Sequence, residues 1–131
     1  MGIAAFSCNV TYSPGGGGSL SQSFNVAAPY TAISSGKIDV PAATAAATSF
    51  PIPFGGVGVD ARGFLVQNNT DSDLEIDLSA SGTAQYRLAP GGLVMHWAAK
   101  KAGGASLKAA DVTVASLTID AGAIDYIVLG E

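Results

Sequence analysis

Apolar and polar residues alternate along this chain with a period of two. Asp73-Leu74-Glu75-Ile76-Asp77-Leu78 does so without a break. On an extended backbone this places three acids on one face and three aliphatics on the other. Val112-Thr-Val114-Ala-Ser-Leu117-Thr-Ile119 and Ile124-Asp-Tyr126-Ile-Val128-Leu are rich in the β-branched and aromatic residues that favour strands. Asp120-Ala121-Gly122 separates these two runs with a turn-like break of hairpin length. The same reading predicts strands at Ala4–Tyr12, Ser21–Val26, Gly36–Val40, Ser49–Phe54, Gly63–Asn68, Ala84–Leu88 and Leu93–Ala98.

About eight to ten short strands, spaced near ten residues apart, predict an all-β fold. The expected architecture is a single-domain antiparallel β-sandwich, jelly-roll-like, spanning residues 1–131. The breaks between strands have turn chemistry of their own. Asn68-Asn69-Thr70-Asp71 tolerates left-handed backbone, Ser79-Ala-Ser-Gly82 is small and pliant, and Ala89-Pro90-Gly91-Gly92 is a proline–glycine turn. Helix is scarce. Pro41–Ala47 has helical propensity without an apolar stripe, and Ala105–Ala110 is long enough for one turn. Both fall short of the roughly 12 residues at which an isolated helix becomes plausible, so both are read as loop or a single turn.

Gly15-Gly16-Gly17-Gly18 follows Pro14 and is the one low-complexity segment. It admits two readings. One is a wide hairpin loop. The other is a hinge that lets residues 1–13 pair with a neighbouring subunit, making residues 1–18 an exchanged or interface arm. No internal repeat is present.

Composition sharpens this picture. With 131 residues the chain has the length of one domain. Its 48% hydrophobic content includes 23 alanines, and Ala, Gly, Ser and Thr fill 61 positions. Such small residues suit thin strands and close backbone approach. Charged residues make up 12%, about half the roughly 25% of an ordinary soluble domain. The mean hydropathy is +0.37. These values argue against a disordered chain and for a surface partly covered by another molecule. The net charge of −4 and the lack of clustered Lys and Arg disfavour a nucleic-acid partner. Lys100 and Lys101 are the only adjacent basic pair, read as a wet loop.

No targeting signal is expected. The start, Met-Gly-Ile-Ala-Ala-Phe-Ser, lacks a basic region and the apolar core of a signal peptide. A myristoylation signal needs Ser or Thr where Phe6 stands, and no apolar run approaches a membrane span. Synthesis in the cytoplasm without a membrane partner is expected. The sequon Asn68-Asn69-Thr70 is accordingly read as a turn.

Candidate chemistry is thin. Cys8, the single cysteine, excludes an intrachain disulfide and a CxxC site, and its strand context predicts a buried, inert thiol. Asp71, Asp73, Glu75 and Asp77 are tempting for calcium, which needs six to eight oxygens at about 2.3–2.6 Å. Residues two apart on a strand are nearly 7 Å apart, so a solvated strand face is the better reading. As a glycosidase pair these acids carry no mark of distinct environments. His96 is the only histidine, and no Gly-x-Ser-x-Gly elbow accompanies it. Beside Trp97 it predicts a structural pair at a sheet edge or subunit contact. Gly55-Gly56-Val57-Gly58 lacks the Lys-Ser/Thr of a phosphate loop and reads as a loop or bulge. Tyr12, Tyr30, Tyr86, Trp97 and Tyr126 could line a sugar platform, or belong to core and interface. No catalytic residue, cofactor or metal site is therefore expected.

A strand over Gly63–Asn68 closed by Asn-Asn-Thr70, a strand at Leu74–Leu78, the turn segment Tyr86-Arg-Leu-Ala-Pro-Gly-Gly92, and the end Ile124–Gly130 occur in this order. This half of the chain resembles small β-sandwich proteins and domains of tailed-bacteriophage structural modules. The resemblance implies a virion structural protein, as capsid decoration (cement) or a tail component. Its partners would be other copies of itself and other virion proteins, forming a homo-oligomer or lattice without catalysis. It carries no catalytic residues over. The alternative is a lectin-like carbohydrate-binding sandwich module, motivated by the dispersed aromatics. An enzyme is the weakest of the three readings.

Overall fold

An alternating strand can hide its apolar side only against a second layer, and from Thr31 onward the chain supplies two. The computed structural model describes residues 2–13, 15–40, 49–57, 61–77, 83–97, 111–114 and 122–130. The chain divides into two compact units, Met1–Tyr30 and Thr31–Glu131.

The first unit is a hairpin of β1 (Gly2–Tyr12) and β2 (Leu20–Tyr30). It pairs without a register shift from Gly2 opposite Tyr30 to Tyr12 opposite Leu20. Gly16, Gly17 and Gly18 have φ of 121°, 84° and 119°, values that glycine reaches without a steric penalty. The glycine run is thus a hairpin loop, and β1 pairs with its own chain.

The second unit contains β3 (Ala32–Val40), β4 (Ser49–Pro51), β5 (Ala61–Asn69), β6 (Leu74–Asp77), β7 (Tyr86–Leu88), β8 (Leu93–Trp97), β9 (Asp111–Val114) and β10 (Gly122–Gly130). Its two antiparallel four-stranded sheets have the orders β3-β10-β5-β8 and β4-β9-β6-β7. The pairings β3 with β10, β4 with β9, β5 with β8, and β6 with β7 are nested about one midpoint. A single long antiparallel ribbon, rolled up until β10 meets β5 and β9 meets β6, produces this order. That is the jelly roll, a double-sheet sandwich of eight strands. The all-β sandwich expected from the alternation is therefore what the chain forms.

The nested pairing corrects one expectation. The last two strands do not form a hairpin with each other, because β9 lies in one sheet and β10 in the other. Each is bound to a strand far earlier in the chain. Another strand is shorter than expected: β4 ends at Pro51, since Pro51 and Pro53 have no N–H to extend the ladder. Residues Gly55–Val57 form a 3-10 turn rather than an open loop or bulge, and Val57 N donates to Phe54 O at 3.0 Å. The segments read as loop or single turn at 41–47 and 105–110, the turn at 79–82, the Lys100–Lys101 pair and residues 115–121 lie outside the described residues.

One core joins the two sheets. Phe64, Val66, Ile124, Tyr126 and Val128 from the first pack with Leu74, Ile76 and Leu88 from the second, closed by Val40, Ile52 and Val57. Gly36, exposed on β3, makes room for the Tyr126 ring at the margin of this core. A Cβ there would stand 2.9 Å from the hydroxyl of Tyr126, its neighbour across β10.

Candidate interaction surface

The polar groups of the sandwich are mostly spent on holding it together. Inward positions on β5 run Phe64, Val66, Asn68, so the alternation delivers an amide into the core. Asn68 is fully buried, and every polar group of its side chain is used. Nδ2 donates to Ser72 O at 2.7 Å and to Leu88 O at 3.0 Å. Oδ1 accepts from Thr70 N at 2.9 Å and from Thr70 Oγ1 at 2.6 Å. The sequon segment is a bend, as expected, and its first asparagine is its anchor. Strand reading alone missed that role; the visible signal was a polar residue at an inward position.

His96 lies on β8, the edge of its sheet, and opposite Phe64. Their rings stack at 5.8 Å with an interplanar angle of 19°. Tyr86, from the other sheet, meets Phe64 edge-on at 6.4 Å and brings its Oη to 3.4 Å from His96 Nδ1. The histidine thus belongs to an aromatic contact between the sheets.

The acids are spread out. Asp71 is exposed, and Asp73 pairs with Arg87 through contacts of 2.8 and 3.0 Å. At a surface where Arg87 is 66% exposed, that pair contributes little stability. The expected solvated face holds only in part, because Asp77 is 6% exposed. β6 is an interior strand of its sheet, and neighbours on both sides shield it. Among the described residues no three His, Cys, Asp or Glu side chains gather to hold a metal. The tyrosines do not form one platform either. Tyr86 and Tyr126 pack in or against the core, while Tyr12 and Tyr30 stand at opposite ends of the hairpin.

The hairpin offers a surface of another kind. Residues paired across a strand ladder share a face, so Phe6, Cys8, Val10 and Tyr12 of β1 lie beside Leu20, Gln22 and Phe24 of β2, with Gln22 the one amide on a mostly apolar face. Ser7, Asn9, Thr11, Ser21, Ser23 and Asn25 lie on the opposite face, which continues to Ala5 and the exposed Ile3 at its open end. There Asn9 Oδ1 accepts from Ser21 Oγ at 3.0 Å and Ser23 Oγ at 3.2 Å. The apolar face stays open: Val10, Tyr12, Leu20 and Phe24 are 45%, 51%, 54% and 53% exposed. Cys8 is exposed too, which corrects the expected buried thiol. A two-stranded unit has no second layer of its own to bury it.

A smaller apolar area lies on the outer face of the first sheet. Ile127 and Leu65 stand in register with Met95, flanked by Ile33 and Leu93. Ile33, Leu93 and Met95 are exposed. Lys37, Asp125, Gln67 and Asn69 occupy the same face further along, with Asn69 Nδ2 donating to Asp125 Oδ2 at 2.7 Å. Among the described residues no helix is long and apolar enough to cross a membrane. Comparison with protein-family models, with curated proteins and with solved structures finds no match for this chain.

Proposed function

We propose that this chain is a structural subunit that works by assembling with other protein chains, as a virion component of the tailed-phage kind. The observation that carries this reading is the hairpin Gly2–Tyr30. It has an open apolar face and not one charged side chain. Large exposed apolar surface on a folded chain marks a binding surface more often than a catalytic one. The buried polar cluster around Asn68, by contrast, is satisfied within the sandwich.

The jelly-roll order supports the setting, since it recurs in viral capsid subunits. It recurs also in lectins and cupins, so the fold by itself does not choose among functions. The four tyrosines share no platform, which weighs against the lectin reading, and capsid decoration and tail component stand equal within the proposal.

The test is fractionation of phage particles from the source on a density gradient, probed with an antibody to this chain. Co-sedimentation with the particle peak, at a fixed stoichiometry to the other structural proteins, is the expected result. Recovery only in the soluble fraction overturns the proposal.

A further inference from the structure

We infer that hairpins Gly2–Tyr30 from neighbouring copies of this chain join edge to edge, β2 of one against β1 of the next, and close into a small barrel with the apolar face inside. The inference rests on the assembly reading above and names the partner and the mode of contact.

Three observations lead to it. First, among the described residues the hairpin is a two-stranded sheet, so the outer edges of both β1 and β2 carry unpaired backbone groups. Proteins usually block such edges with charge, proline, a bulge or a very short strand. Here the strands are 11 residues each, the register has no bulge, and the first charged side chain in the chain is Lys37. No charge repels an incoming strand, and the one proline of either strand, Pro29, lies at the far end of β2, leaving the edge from Leu20 to Ala28 without one. Second, the two faces differ in kind. A sheet of such hairpins keeps every Ser, Asn and Thr face on one side and every apolar face on the other. An isolated two-stranded hairpin is marginal in water, and a closed barrel gives it both a core and an end to its edges.

Third, the size is sufficient. Each strand is about 36 Å long at roughly 3.3 Å per residue. Half-exposed Tyr12, Phe24, Leu20 and Val10 leave roughly 300–400 Å² of apolar surface to cover. With the two backbone edges added, each copy approaches the roughly 800 Å² that a stable interface needs. About eight strands enclose an interior that side chains just fill, so about three or four copies close the ring.

The full chain, studied by native mass spectrometry and amide hydrogen exchange, tests this. In a lone hairpin roughly half of the strand amides point outward without a partner. The expected result is an oligomer of about three or four copies in which those amides of Gly2–Tyr12 and Leu20–Tyr30 lose their fast exchange. The double variant Val10→Lys/Phe24→Lys should be monomeric with fast exchange restored, while Ser23→Lys, on the wet face, should still assemble. An oligomer that survives Val10→Lys/Phe24→Lys with open-hairpin exchange overturns the barrel and leaves the assembly reading standing. An unsubstituted chain that is monomeric yet found in particles does the same. An unsubstituted chain that is monomeric and absent from particles overturns both. Dye release from phosphatidylcholine vesicles, abolished by Val10→Lys, would mean that lipid covers the face, and that also overturns the aqueous barrel.

Discussion

The side-chain amide of Asn68 donates a 3.0 Å hydrogen bond to the carbonyl of Leu88, joining the two sheets of the sandwich from within. The bond links two turns that sequence treats as separate. Asn68 N also donates to Gly92 O, and Gly91 N returns a bond to Asn68 O, both at 2.8 Å. The bend after β5 and the proline–glycine turn before β8 are thereby locked as one corner.

Replacing Asn68 with Ala should cost about 2–4 kcal/mol, because Leu88 O, Ser72 O and Thr70 N lose a partner where water cannot replace it. Asn68→Asp should cost at least as much, since it turns two donors into acceptors facing carbonyls. Urea unfolding of both variants checks this. A loss below about 1 kcal/mol would show that the corner holds without the amide.

Gly91 has φ of 77°, and Gly92 N donates to Ala89 O at 2.8 Å, the geometry of a type II turn. Gly91→Ala should destabilise the protein by about 1–2 kcal/mol through left-handed strain, and Gly91→Asn by less. Gly56, with no atom near its would-be Cβ and no positive φ, is the control. Its Ala variant should stay within about 0.5 kcal/mol. Thermal melts of the three variants decide the point.

The contact of Tyr86 and His96 is predicted to be structural. His96→Gln should cost about 0.5–1.5 kcal/mol through lost stacking on Phe64. A double-mutant cycle with Tyr86→Phe should give a coupling of roughly 0.5–1 kcal/mol. Additive effects would show that the 3.4 Å approach contributes nothing to stability.

Removing residues 1–30 should leave a folded sandwich. Every residue of the shared core comes from Ala32 onward, and β3 finds its partner in β10. The truncated chain should keep a β-type far-UV circular dichroism spectrum and a cooperative melt, yet no longer oligomerise. An unfolded truncation would mean that the sandwich depends on the hairpin.

Much of this was legible in local pattern. Ile124 and Tyr126 alternate with more exposed neighbours and, with Val128, do face the core, while the alternation of burial ends at Val128 and Leu129. The Ala89–Gly92 turn was visible in its proline and glycines, because turn chemistry is set by the φ values of two residues. The interaction surface was half legible: the uncharged run of β1 was plain, but its partner strand was not. Cys8 shows why. Alternation marks it as one side of a strand, and whether that side is covered depends on a second layer that no local window contains.

The sequence by itself determined that this chain is β throughout its patterned segments, where most strands lie, and that it has no second cysteine for a disulfide. These are properties of single residues and of a period-two repeat, both fixed within a few positions. Tertiary structure decided which edges meet. It sent β9 and β10 to different sheets, buried Asp77 at the end of an acidic face, and turned Asn68 into the pin between the sheets. Those outcomes come from pairings between segments as far apart as Ala32 and Gly130. Their free energy depends on surfaces that exist only once the ribbon has rolled up.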